Sequence, residues 1–430
     1  MDATLEAAPI VDLLRFATIG SVDDGKSTLI GRLLVDTRQL FHDQIEAVEQ
    51  ASRRRGVGDI DLAFVTDGLR AEREQGITID VAYRYASTPQ RKFIIADCPG
   101  HIQYTANMAT GASNADVALV VVDATAGLKE QTKRHLCIAA LLGVRHLIVC
   151  ANKMDKADWD HEAYDRIVDE MEGLQHILVS KSVTVIPISA LNGDNVVEHS
   201  SAAPFYSGPT VLEALEAIPS GVWAGTHHGT SSLATRLPVQ WILRQPGGGR
   251  MYAGMVDGAP LHVGDDIVVL PDGLHSTVTE IMTPNGLCDS AGIGLSISVG
   301  LADDLDVSRG DMIVGANDLP AVSNEIEATV CWFGTTRLTA GTRFRAKHTT
   351  RTTPAIVSAV TAHLNIDDLT LVPAEMLGEN EIGTITLTFA TPLAVDDYQR
   401  NRITGSFILV DEATNITVAA GMVGPPGLEK

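Results

Sequence analysis

The chain has 430 residues, 45% of them hydrophobic and 20% charged, with a formal net charge of −22. That length exceeds one ordinary core and predicts two or three domains, with enough apolar material to fill them and no apolar run near the length of a membrane span. The acidity argues against general nucleic-acid binding, which asks for basic patches, and the one dense basic run, Arg53-Arg54-Arg55, reads as a solvated loop. The N-terminal stretch is acidic and carries no basic start followed by an apolar segment, so a cytoplasmic location and no membrane association are expected. Five scattered cysteines, Cys98, Cys137, Cys150, Cys288 and Cys331, form no CxxC pair and read as buried reduced thiols.

In chain order, apolar β-type runs occur at Arg15–Ile19, Ile79–Tyr85, Lys92–Ala96, Val117–Asp123, His146–Ala151 and Val183–Ile188. Helix-type segments lie between several of them, at Lys26–Leu34, Gln131–Leu142, Tyr164–Met171 and Thr210–Ala217. Strand alternating with helix predicts a mostly parallel sheet covered on both faces. One antiparallel pair is expected, because a short Ser/Thr/Pro turn joins Ile79–Tyr85 to Lys92–Ala96. The polar, glycine-punctuated segment Arg53–Gly76 reads as a long functional or mobile loop. Residues 1–218 therefore form an α/β phosphate-loop domain, and residues 219–236, rich in Gly, Ser and Thr, read as a linker. Short β-type runs broken by glycine then predict two small antiparallel β-barrels, at 237–322 and 323–430.

The chemistry is carried by short motifs in a fixed order. Gly20-x-x-x-x-Gly25-Lys26-Ser27 follows a strand and opens a helix, the context of a phosphate-binding loop. Its glycines let the backbone aim several N–H groups at one anion, Lys26 adds a point charge, and the Ser27 hydroxyl suits Mg²⁺. Asp23 and Asp24 sit oddly in such a loop; their side chains can point outward and need not meet the nucleotide, and either would require a cation between if it did. Asp97-Cys98-Pro99-Gly100 ends a buried strand: Asp97 can hold Mg²⁺ through water, and Gly100 can present an amide to a γ-phosphate. His101 is either a capping residue after the turn or the group that orients an attacking water. Thr78 is either the β-branched start of a strand or a hydroxyl that closes on Mg²⁺ and the γ-phosphate.

Asn152-Lys153-Met154-Asp155 follows a strand. A carboxylate at Asp155 accepts from both N1–H and the exocyclic amine of guanine, a pattern adenine lacks. Lys153 can lay its methylenes on the base, and Asn152 ties the loop to its neighbours. Ser189 and Ala190 end the last strand, where a backbone amide can reach guanine O6. One phosphate loop is present, and neither an HxGH-type nor an SGG-type nucleotidyl-transfer motif is found; His227-His228-Gly229 has the wrong spacing.

These motifs, with "AEREQGITID" and "DCPGH", resemble a translation-type GTPase domain such as those of elongation factors Tu and 1α. "GSVDDGKSTLIGRLL", "TDGLRAEREQGITIDVAYRY" and "NRITGSFILVD" resemble more closely the large, GTP-binding subunits of bacterial sulfate adenylyltransferases, and Asp24 belongs to that branch. The resemblance implies a GTPase that drives synthesis of adenosine 5'-phosphosulfate, with GTP and Mg²⁺ as cofactors and adenylyl transfer on a separate small catalytic subunit. It implies that Gly20, Ser21, Val22, Asp23, Asp24, Gly25, Lys26, Ser27 and Thr28 hold the phosphates. Asp97, Cys98, Pro99, Gly100 and His101 then face the γ-phosphate, and Asn152, Lys153, Met154, Asp155, Ser189 and Ala190 surround guanine. Ser27, Thr78 and Asp97 serve the metal, His101, Lys26, Thr78 and Gly100 serve catalysis, and Asp23 is expected to hold a monovalent cation. Cys98 and Ala106 stand where relatives often carry threonine and arginine. With one phosphate loop, no fused adenylylsulfate kinase is expected. Two other readings are a translation factor, which predicts basic barrels, and a GTP-binding scaffold, which leaves His101, Thr78 and Asp97 without a role.

Overall fold

The computed structural model describes residues 12–39, 62, 78, 80–144, 146–175, 182–219, 233–244, 249–366 and 370–426. They divide into two compact units between Ser220 and Gly221.

The first unit runs β1 (Leu13–Ile19), α1 (Lys26–Asp36), β2 (Ala82–Ser87), β3 (Lys92–Asp97), α2 (Thr105–Ser113), β4 (Val117–Asp123), α3 (Glu130–Leu141), β5 (His146–Asn152), α4 (His161–Gln175), β6 (Ser182–Pro187) and α5 (Val211–Ala217). Its six strands lie in the order β2-β3-β1-β4-β5-β6. Every pair is parallel except β2 with β3. The central strand β4 is buried from Val117 to Val122 because helices cover both sheet faces, whereas the edge strand β2 alternates half-buried and exposed residues. Thr210 caps α5 with a reciprocal pair of bonds to Glu213, so the helix begins one residue later than its pattern predicts. The β2 strand starts at Ala82 rather than Ile79. Helix α2 escapes the sequence reading because TANMATGAS, mostly small residues, shows no apolar stripe. It packs so closely on the sheet that a Cβ on Gly111 would lie 2.4 Å from the Cys98 Sγ.

Register decides where the chemistry gathers. Thr18 pairs with Asp97, Asp123 with Asn152, and Ala151 with Pro187. The loops after β1, β3, β4, β5 and β6 therefore leave the same carboxyl edge of the sheet. Chain order reverses there about β1, the usual place for a ligand in an open α/β sheet.

The second unit holds two closed six-stranded antiparallel barrels. In the first, Asp266–Leu270, Met312–Gly315, Arg236–Arg244, Arg250–Met255, Ser296–Leu301 and Leu274–Thr283 follow one another, and the last pairs with the first. In the second, Arg343–His348, Ser406–Val410, Thr417–Val423, Ala321–Trp332, Ile382–Val395 and Arg351–Leu364 close in the same way. Each has its own apolar interior, around Leu237, Tyr252 and Val299 in one and Val330, Leu387 and Leu409 in the other. Arg236, read as the last residue of a linker, is the first of its strand and fully buried. Its guanidinium grips Asp396 of the second barrel with two bonds, 2.9 and 3.0 Å long.

Candidate nucleotide site

The loop between β1 and α1 is shaped by its backbone. Gly25 caps α1 in the left-handed region, φ 99°, and a Cβ there would fall 2.3 Å from the Asn152 side-chain nitrogen. Lys26 folds back and donates to the carbonyls of Gly20 (3.1 Å) and Ser21 (2.8 Å). Burial pushes its ammonium below the usual range, against the upward pull of Asp97 and Asp24. A dry cation at the mouth of α1 is a strong attractor for phosphate oxygens. Ser27 and Thr28 follow in the first helical turn, both half-buried.

The two aspartates part company. Asp23 is exposed, with φ 64°, and its carbonyl accepts from Lys153 Nζ at 2.5 Å. Asp24 is 1% exposed. Its carboxylate turns into the loop, taking the Ser21 N–H at 3.0 Å and the Lys129 ammonium at 2.6 Å. A buried carboxylate needs such partners, and the loop supplies one while the segment ahead of α3 supplies the other.

Asp97 ends β3, 1% exposed, with the Thr18 hydroxyl 3.2 Å from its Oδ1. The Cys98 thiol is buried against α2, and burial raises its pKa, so it stays a neutral thiol. Gly100 packs on the phosphate loop: a Cβ would sit 2.4 Å from Lys26 Nζ and 2.8 Å from the Gly20 carbonyl. His101 caps the turn Ile102–Tyr104, its Nδ1 accepting from the Gln103 N–H at 3.3 Å. Thr78 is half-buried, and its immediate neighbours, like nearly all of Arg53–Gly76, lie outside the described residues.

On the base side, Asn152 bridges two loops. Its Nδ2 donates to the Asp24 carbonyl at 2.8 Å, and its Oδ1 accepts from the Ala190 N–H at 2.9 Å. Lys153 reaches Asp123 at 2.7 Å. Burial alone would raise the Asp123 pKa, but the bonds from Lys153 and Thr125 outweigh it and hold the carboxylate below its usual range. Met154 is buried in the core, and Asp155 is half-buried, with no donor on its carboxylate among the described residues. The amides of Ser189 and Ala190 are both engaged, by the Asp194 carbonyl and Asn152, so a base oxygen there has to compete for them.

Residues 11–239 match the family of the elongation factor Tu GTP-binding domain, and residues 325–424 match the GTP-eEF1A C-terminal domain-like family. The chain is 45% identical over 425 residues to sulfate adenylyltransferase subunit 1 of Aeromonas hydrophila, spanning 98% of this chain and 88% of that one. It is 45% identical over 415 residues to the protein of the same name in Chromobacterium violaceum, 96% and 86% of the two chains. With the bifunctional enzyme CysN/CysC of Mycobacterium tuberculosis it shares 50% identity over 417 residues, 96% of this chain and 67% of that one. The chain belongs to the sulfate adenylyltransferase subunit 1 family.

In this subunit 1 relative, several residues that sequence reading passed over support the loop. Lys129, the cap ahead of α3, and Thr132 and His135 within the helix recur every third residue. They meet Asp24, the Ser21 hydroxyl (2.9 Å) and the Gly20 backbone respectively. Arg32 of α1 donates to the carbonyls of Ala190 and Leu191. Only helical spacing hinted at the α3 set; nothing local marked Arg32. The residues that could hold a divalent cation offer hard oxygen: the Asp97 carboxylate and the Ser27 and Thr78 hydroxyls. No group of three or more His, Cys, Asp or Glu that could hold a metal ion gathers among the described residues. Among the described residues no helix is long and apolar enough to cross a membrane.

Proposed function

We propose that this chain binds and hydrolyses GTP, and that the hydrolysis drives formation of adenosine 5'-phosphosulfate and pyrophosphate from ATP and sulfate. Adenylyl transfer takes place on a separate small catalytic subunit in the cytoplasm. There a sulfate oxygen bonds to the α-phosphorus of ATP and pyrophosphate leaves. The observation that supports the guanine part is the Asn152 bridge, which ties the phosphate loop to the loop that carries Asp155.

Within it, Gly20 to Thr28 wrap the phosphates, and Lys26 exchanges its two carbonyl contacts for phosphate oxygens. Asp155 takes the two guanine donors, with Lys153 held under the base by Asp123. Gly100 offers its amide to the γ-phosphate. Since the His101 Nδ1 already accepts a bond, the proton of the neutral ring sits on Nε2. His101 thus donates, orienting a water or steadying the γ-phosphoryl oxygens, and takes no proton from the water in that tautomer. Ser27 and Thr78, with Asp97 through water, would hold Mg²⁺, which would supply charge neutralisation at the phosphates. The exposed Asp23 carboxylate is the group a monovalent cation would use.

The test is turnover of ATP and sulfate by the two-subunit complex with and without GTP. Coupling requires GTP to raise the rate and the extent of product formed. Equal rates and equal extents refute it.

A further inference from the structure

The Asp24 carboxylate has both oxygens committed: Oδ2 to the Ser21 N–H at 3.0 Å and Oδ1 to Lys129 Nζ at 2.6 Å. Asp24 is 1% exposed, while the Lys129 side chain is 40% exposed. The same residue's carbonyl receives Asn152. One residue therefore joins the phosphate loop, the guanine loop and the segment ahead of α3, and the only countercharge in contact with its carboxylate among the described residues comes from that segment.

We propose that Lys129 is a positioning residue: by neutralising buried Asp24 it sets how long the phosphate loop retains guanine nucleotide. This deepens the guanine reading above and rests on it. Without Lys129, Asp24 is a buried charge with no cation in contact, a costly state that the loop relieves by moving. Lys26 is an alternative partner in the same loop, and Asp24 is among the charges that act on it. An Asp24 that draws on Lys26 competes with the phosphates for the cation they need. Lys129 ends that competition without touching the nucleotide.

Dissociation of a fluorescent GDP from the full chain tests this. Lys129→Met accelerates release about tenfold, and Lys129→Arg, which keeps the charge, restores it to within about twofold, the change expected of one well-made charged contact. In an Asp24→Asn background the charge to be neutralised is gone, so Lys129→Met adds nothing further. A merely structural Lys129 would matter equally in both backgrounds. The proposal is overturned if Lys129→Met releases GDP within twofold of the parent, or if it accelerates release as much in the Asp24→Asn background as in the parent. A parent chain that retains no GDP at all overturns the guanine reading itself, a result distinct from either.

Discussion

The Asn152 side chain donates to the Asp24 carbonyl at 2.8 Å, across 128 residues of sequence. Its other end holds the Ala190 N–H. Asn152→Ala strands both groups in a buried place, at about 1–3 kcal/mol each. We expect about 2 kcal/mol or more to be lost from urea unfolding of the first unit. GDP affinity in calorimetry should fall at least about tenfold, because phosphate and base loops lose their register. Unchanged GDP affinity would remove Asn152 from the receptor.

Gly100 leaves no room for a side chain. Gly100→Ala places a methyl within 2.4 Å of Lys26 Nζ and 2.8 Å of a backbone oxygen, so either the turn or the lysine must move. A displacement near 1 Å costs about a hundredfold in catalysis. Single-turnover GTP hydrolysis should fall by about that factor, and GTP affinity more than GDP affinity. An equal loss for both nucleotides would argue that Gly100 does not meet the γ-phosphate.

Much of this site was legible because its motifs are contiguous and act through the backbone. A run such as Gly20 to Ser27 carries its geometry in its own glycines, and a buried β-run before Asn152 places that motif at a sheet edge. What stayed hidden depends on distant partners. The burial of Asp24 could not be read because nothing nearby announces Lys129, 105 residues on. Arg236 closes a polar stretch and reads as linker, yet its partner Asp396 stands 160 residues away. Helix α2 lacks an apolar face because it packs by close approach of small residues, a mode that periodicity does not register.

Acid should loosen the phosphate loop's support. Burial pushes the His135 imidazole down to about 3, with Lys26 and Arg134 adding to the fall, against an ordinary value of 6.5. Between those values the unfolded chain binds a proton that the folded one refuses. Stability from this residue is therefore whole above pH 6.5 and drains as pH falls toward 3, by up to about 1.4 kcal/mol per unit. The melting temperature should drop from pH 7 to pH 5, and His135→Gln should flatten that slope. His348, also buried and lowered, keeps it from vanishing. An identical slope in the variant would show that His135 is not held neutral.

The barrels answer to a different pair. Arg236 and Asp396 are both fully buried, so Arg236→Met leaves an uncompensated carboxylate. The single variant should cost about 3–5 kcal/mol in denaturant unfolding of the barrel unit, and Arg236→Met with Asp396→Leu clearly less. A double variant as unstable as the sum of its parts would deny the pairing.

Asp155 is the residue expected to make this a guanine-nucleotide protein. Calorimetric titration of the purified chain with GDP and with ADP measures it. GDP should bind at least about 10⁴-fold more tightly, with the preference lost in Asp155→Ala. ADP bound as tightly as GDP would contradict it.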